Sequence, residues 1–204
     1  TAWIQNIIAP LKSMKVLFLS LEVNEWMIFR RFAQVANGMT KAEVNEIYLS
    51  DNKEMIKSIE SSLDHINITT TAPNIESVKE IVCDKQPDIV IIDTIDAIDV
   101  PFSRDPLSKM DTVINGLKAI ANEQNMIFFG ISHISKSASG ETLNIHSAKG
   151  SSAIEQKADK VLGIIGDREN SQRRVIRSLA SRDEDGFELA FMFDYSKFQF
   201  KEIT

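Results

Sequence analysis

Apolar positions along the chain follow two patterns. At residues 15–20 (KVLFLS), 87–94 (PDIVIIDT) and 126–131 (MIFFGI) they form short unbroken runs, the signature of a strand that helices cover on both faces. Between these runs they recur at three- and four-residue spacing, as expected of one helical face. Trp3, Ile4, Ile7 and Ile8 form one such set, closed by Pro10. Trp26, Phe29, Phe32, Ala33 and Ala36 form a second, with Gly38 as its stop, and Leu107, Met110, Ile114, Leu117 and Ala121 a third. A helix over 51–64 with Asp51 as its cap, a β-branched strand over 66–71 and a helix over 74–84 capped by Asn74 fill the interval before the central run. Residues 99–108, with two prolines, read as a loop. Residues 135–151 are rich in Ser, Gly and Lys and show no period until a short helix opens at Ser151 or Ser152 and runs to Ala158. The chain ends in four strand-like stretches, 160–165, 173–180, 187–193 and 198–203, separated by tight polar turns. Together these elements predict one α/β domain over 1–204: a mostly parallel sheet flanked by helices, with an antiparallel extension at the C-terminus. Trp3, Trp26, Phe29 and Cys83 are expected in its core.

Composition narrows the function classes. Hydrophobic residues make up 43% of the 204 and charged residues 25%, ordinary values for a globular chain, and no apolar run reaches the ~18 residues of a membrane span. A net charge of -6 argues against a surface that coats nucleic acid as a whole, and leaves room for a local basic loop. Cys83 is the sole cysteine, so no internal disulfide can form and no zinc cluster is available; this is in keeping with a reducing compartment.

Candidate chemistry collects at strand ends. Asp93 closes the central run, Glu22 follows the 15–20 strand at a junction with a helix, and His133 follows the 126–131 strand. Parallel strands joined by crossovers line their carboxyl ends along one edge, where ligands of open α/β sheets bind. A glutamate to polarise water, an aspartate to hold hydrated Mg²⁺ and a polar residue to sense a γ-phosphate suit nucleotide hydrolysis. Each also has a plainer reading: Asp93 as a turn aspartate, Glu22 and Arg31 as a solvated pair, His133 as a satisfied strand-end histidine, Lys136 and Lys149 as ordinary loop lysines. Arg173, Arg174 and Arg177 are assigned no role beyond a solvated strand face.

The order of these segments resembles a known family. Leu19-Ser20-Leu21-Glu22, the run ending in Asp93, Gly130-Ile131-Ser132-His133, the segment GSSAIEQKAD over 150–159 and Ser181-Arg182-Asp183-Glu184-Asp185-Gly186 are similar to the RecA-like motor domain of DnaB-type replicative helicases, including phage and mitochondrial relatives. The resemblance implies a RecA-like P-loop NTPase core acting on ATP with Mg²⁺. It implies Glu22 as catalytic glutamate, Asp93 as the Walker B aspartate and metal anchor, Arg31 beside the nucleotide, and His133 in place of a strand-end glutamine. It implies Arg182 as an arginine finger reaching into a neighbour's site. The phosphate loop G-x-x-x-x-G-K-[ST] is matched by none of the eight glycines, and Thr1 is expected to be its last residue, touching both nucleotide and metal. On that expectation the chain is truncated before residue 1, and alone would not hydrolyse ATP.

The same resemblance implies a cytoplasmic homo-oligomer, a hexameric ring holding single-stranded DNA at its centre, with primase or a helicase loader as further partners and no membrane. Lys136 and Lys149 would meet DNA phosphates, and Gly150 with the amides of Ser151 and Ser152 would form a small helix N-terminus for one phosphate. Two further places in the chain, one a single residue and one a tripeptide, depart from the family pattern. Ala180 stands where many members carry a lysine, two residues before the finger, and Thr94-Ile95-Asp96 stands where bacterial members usually have Tyr-Leu-Gln. The second reading is a recombinase or clock-protein-type RecA relative that forms a filament or ring without unwinding; a third is a loader or scaffold that keeps the fold and has lost hydrolysis.

Overall fold

The computed structural model describes residues 1–101, 105–133, 151–166, 171–182 and 185–203. Strands β1 (Val16–Ser20) and β3 (Ile89–Asp93) are buried at every position, as an unbroken apolar run requires. They form the centre of a parallel four-stranded sheet in the order β2-β1-β3-β4, with β2 at Ile66–Thr69 and β4 at Ile127–Ile131. Successive side chains of a strand point to opposite faces, and the two faces have separate cores. Val16, Phe18, Ile89 and Ile91 pack with Ile4 and Ile8 of α1 (Ala2–Ile8), Ile28 and Phe32 of α2 (Glu25–Asn37), Val44 of α3 (Lys41–Leu49) and Ile59 of α4 (Lys53–Ser61). Leu17, Leu19, Val90 and Ile92 pack with Val78 and Val82 of α5 (Ile75–Lys85) and with Met110, Val113, Leu117 and Ile120 of α6 (Pro106–Gln124).

Helix ends follow local chemistry. Asn24 and Asn74 each accept a hydrogen bond from the third backbone N–H beyond them, and Gly38 ends α2 in the left-handed conformation at φ 64°. The cap of α4 is Asn52 rather than Asp51, which itself adopts φ 52° in the turn before it, so the helix is shorter than 51–64. Asp105 caps α6 with Pro106 in its first turn, so this helix opens inside the stretch read as loop. Helix α3 has no counterpart in the periodicity, because it buries only Val44; its signal is the capping box of Thr40 and Glu43. Strand β4 is only partly covered, with Ile127 49% exposed, which corrects its reading as a core strand.

Two aromatic and thiol expectations also change. Trp26 lies 41% exposed, stacked on Phe29 and edge-on to Tyr48 at 4.8 Å, and Cys83 is exposed on α5. The buried Tyr48 hydroxyl has no hydrogen-bond partner among the described residues, and its burial, with Glu60 adding to it, pushes its pKa up to about 12.

The C-terminal strands form a separate antiparallel sheet, β5-β6-β7-β8, from Lys160–Gly166, Arg173–Ser181, Glu188–Asp194 and Gln199–Glu202. It joins the helical layer through specific polar bonds. The Asn6 amide donates to Phe198 O and its carbonyl accepts from Phe200 N; Gln34 donates to Ser196 O, and Gln199 donates to Val35 O. At another corner Lys118 of α6 donates to Lys157 O, at the end of α7 (Ser151–Lys157), and to Asp159.

Phe32 is fully buried, with its ring edge-on to Phe18 at 5.6 Å, so it links α2 to β1. Phe32→Ala is expected to cost about 3–5 kcal/mol of unfolding free energy, measured by denaturant titration.

Candidate nucleotide site at the strand ends

Register brings three strand ends level. Ser20, Asp93 and Ile131 are neighbours across β1, β3 and β4, so Glu22 and His133, each two residues further on, flank Asp93. Parity then chooses the side. Ile89 and Ile91 face the α1 and α2 layer, and Asp93, two residues on, keeps that direction.

Asp93 is 4% exposed. A carboxylate so placed needs hydrogen bonds or charge to offset its lost hydration, and both come from the layer it faces. Thr1, the N-cap position of α1, donates from Oγ1 to Asp93 Oδ2 at 2.6 Å. Arg31 of α2 supplies positive charge. Burial lowers its pKa from the ordinary value, the Asp93 carboxylate pushes it back up and Arg30 lowers it further; the guanidinium stays cationic.

Arg31 lies over the ring of Phe198, 5.1 Å from its centroid. Phe198 adopts φ 61°, a conformation that costs a bulky residue about 1–3 kcal/mol, and the two Asn6 bonds, to its own carbonyl and to the N–H of Phe200, hold the turn. Sequence alone offers no means of finding this contact, which joins residues far apart along the chain.

Glu22 and His133 stand at the open side, 41% and 56% exposed. Glu22 Oε1 accepts from Thr94 Oγ1 at 2.8 Å, and its Oε2 lies 4.0 Å from His133 Nε2. This replaces the solvated Glu22–Arg31 pair: the two residues meet different partners. The Asp93–Thr94 peptide is cis. Asp96, noted in the sequence only as part of a departure from the family pattern and given no role there, accepts from the His133 backbone N–H at 2.9 Å and from Ser132 Oγ at 3.2 Å.

Thr1, Glu22, Arg31, Asp93 and His133 are therefore brought to one edge, and Arg182 makes its contacts elsewhere. Its Nη2 donates to Gln156 O at 2.7 Å and its Nη1 lies 3.1 Å from Asp159, at the end of α7. Lys136, Lys149 and Gly150 lie outside the described residues. Helix α7 opens at Ser151 as expected, with Ser152 in its first turn; their side chains are likewise outside the description.

The Thr1 hydroxyl and Asp93 carboxylate fit Mg²⁺ by their chemistry. This ion takes hard oxygen ligands, characteristically one or two carboxylates together with water and substrate phosphates. Among the described residues no group of three or more His, Cys, Asp or Glu is arranged as a metal cage, and no helix is long and apolar enough to cross a membrane.

Comparison with known proteins identifies the family and the fold. The family model described as "AAA domain" matches residues 2–139. The replicative DNA helicase DnaB of Treponema pallidum (strain Nichols) is 22% identical over 192 residues, covering 89% of this chain and 44% of that protein. A solved structure of a DnaB-like replicative helicase and its interactions with primase superposes with a TM-score of 0.83 at 16% identity, covering 98% of this chain and 54% of the other. A second solved structure, of an ATPase domain, superposes with a TM-score of 0.79 at 16% identity, covering 95% of this chain and 76% of that domain. The chain thus spans less than half the length of the curated relative and about half that of the first structure. It belongs to the AAA domain family and carries the RecA-like fold of DnaB-type helicase ATPase domains.

Proposed function

We propose that the chain is the ATP-hydrolysing motor domain of a ring-forming DNA helicase that translocates on single-stranded DNA during replication. The observation that carries this reading is the Thr1–Asp93 hydrogen bond at the level of Glu22 and His133, which puts a metal-binding pair beside a solvent-facing glutamate at the end of a parallel sheet. Mg²⁺ held there would offset the charge of the ATP phosphates. Glu22, anchored by Thr94 through one oxygen, would take the proton of an attacking water on the other, which lies 4.0 Å from His133 Nε2 on the open side. His133, beside Glu22, would sense the γ-phosphate, and Arg31 would add positive charge behind Asp93.

Arg182 acts in trans on this reading. Its side chain is 48% exposed, and its resting partners are a backbone carbonyl and an exposed carboxylate, contacts that an approaching phosphate can outcompete. Such a finger is worth about 10³–10⁵ in rate. Lys136, Lys149 and the start of α7 would meet DNA phosphates at the ring centre, without sequence preference. Primase or a loader would be further partners of the assembly, which would work in the cytoplasm.

In the intact protein, Glu22→Gln is expected to lower ATP hydrolysis by at least about 10²-fold, leaving Mg-ATP affinity within about threefold, as a proton-accepting role requires. Hydrolysis at the wild-type rate would overturn the assignment. Unwinding of a forked duplex tests the helicase reading: strand exchange on filaments with no unwinding would transfer the chain to the recombinase class. Arg182→Ala subunits should bind nucleotide and fail to hydrolyse it. Mixing them with Glu22→Gln subunits should restore part of the activity, because some interfaces then pair an intact Glu22 with an intact Arg182. Absence of restored activity would contradict a finger acting between subunits.

A further inference from the structure

Asp96 lies on a short 3-10 turn, Ile95–Ala97, just past β3. The turn is seated directly on β4: a Cβ at Gly130 would stand 3.0 Å from Ile95 Cγ2, so a glycine there allows the close approach. The Asp96 side chain is 14% exposed and both its oxygens are engaged, Oδ1 by Ser132 Oγ and Oδ2 by His133 N–H. Oδ2 also lies 3.8 Å from His133 Nδ1, while the Glu22 carboxylate lies nearest the other ring nitrogen, Nε2. The imidazole is thus bracketed by two carboxylates. One is largely buried and clamped to the backbone of residue 133; the other is half-exposed and tied to Thr94.

A histidine that is 56% exposed has little packing to fix its ring. We infer that Asp96 is the positioning residue for His133: it fixes the end of β4 and orients the imidazole between itself and Glu22, so that Nε2 is presented to the nucleotide side of the site. The inference rests on the ATPase reading above and adds to it a residue that touches neither nucleotide nor metal. A carboxylate bonded to a backbone N–H and facing the near ring nitrogen sets ring direction in the way that the outer partners of metal-bound and catalytic histidines do. The neighbouring cation is Lys109, whose ammonium donates to Asp96 O at 3.4 Å and lies 3.9 Å from Asp99, so it supports the turn and leaves the carboxylate to residues 132 and 133.

The test is a cycle of variants in the intact protein, read as steady-state ATP hydrolysis with thermal unfolding alongside. Asp96→Ala is expected to lower kcat by about 10²-fold, the scale of a misplaced catalytic group, with KM for ATP changed by less than about threefold. Asp96→Asn keeps an oxygen for the His133 N–H and should recover most of the lost kcat. In a His133→Ala background Asp96→Ala should cost less than about twofold, because residues acting as one unit are not additive. A full additional loss in that background, or a kcat in Asp96→Asn as low as in Asp96→Ala at unchanged melting temperature, would overturn the inference. Failure of the ATPase reading looks different: Glu22→Gln would then hydrolyse ATP at the wild-type rate, whatever Asp96 does.

Discussion

A carboxylate at the end of an apolar strand, 4% exposed, is the constraint on which the rest of this site depends. Such a group cannot stay charged without partners, because the lost hydration is too costly. The fold supplies a hydroxyl from the start of α1 and a guanidinium from α2, both on the face that strand parity assigns to Asp93. Those partners fix further elements in turn. Arg31 is kept in place by a ring across the C-terminal turn, and that turn is pinned to α1 by both ends of the Asn6 amide. The antiparallel sheet is therefore joined to the environment of Asp93 through Phe198 as well as to the surface of the helical layer.

The site has two halves of different character. Asp93, buried, and Thr1 and Arg31, half-buried, form an inner side where positive and negative groups compensate each other. Glu22 and His133 form a wet side where a carboxylate and an imidazole face each other across 4.0 Å, open to solvent. Electrostatic preorganisation is strongest where groups are already paired and excluded from solvent, and proton transfer needs a group that is accessible. The division follows from the strands: β3 is central and buried, and Glu22 and His133 lie beyond the last paired residues of β1 and β4. Arg182, far along the chain, is bonded to the end of α7, and under the proposed function it would serve a neighbour's wet side.

How much of this can be read from sequence depends on the range of the interaction. The runs KVLFLS and IVIID announce buried strands because burial on both faces leaves no polar position to interrupt them. Glu22, Asp93 and His133 follow as strand-end residues, since parallel connection alone places those ends together. Helix α3 escapes periodicity because it buries a single side chain, although Thr40 and Glu43 spell its cap. Trp26 is misplaced in the core because an amphipathic pattern cannot say which aromatic lies at the rim of a helix face. Phe198 leaves no local mark, and Asp96 only a departure from the family pattern that says nothing of its contacts: one sits in a turn held by a distant asparagine, the other bonds the backbone just beyond a neighbouring strand. Tertiary contacts of that kind become visible only when the strands are set side by side.

The central claim is that the carboxyl ends of β1, β3 and β4 together form one Mg-nucleotide site. A crystal structure of the intact protein with Mg²⁺ and a non-hydrolysable ATP analogue tests it most directly. The account predicts the metal against Thr1 and Asp93 and the terminal phosphate facing Glu22 and His133. Nucleotide bound away from this edge, with the Asp93 carboxylate still closed against Thr1 alone, would contradict it.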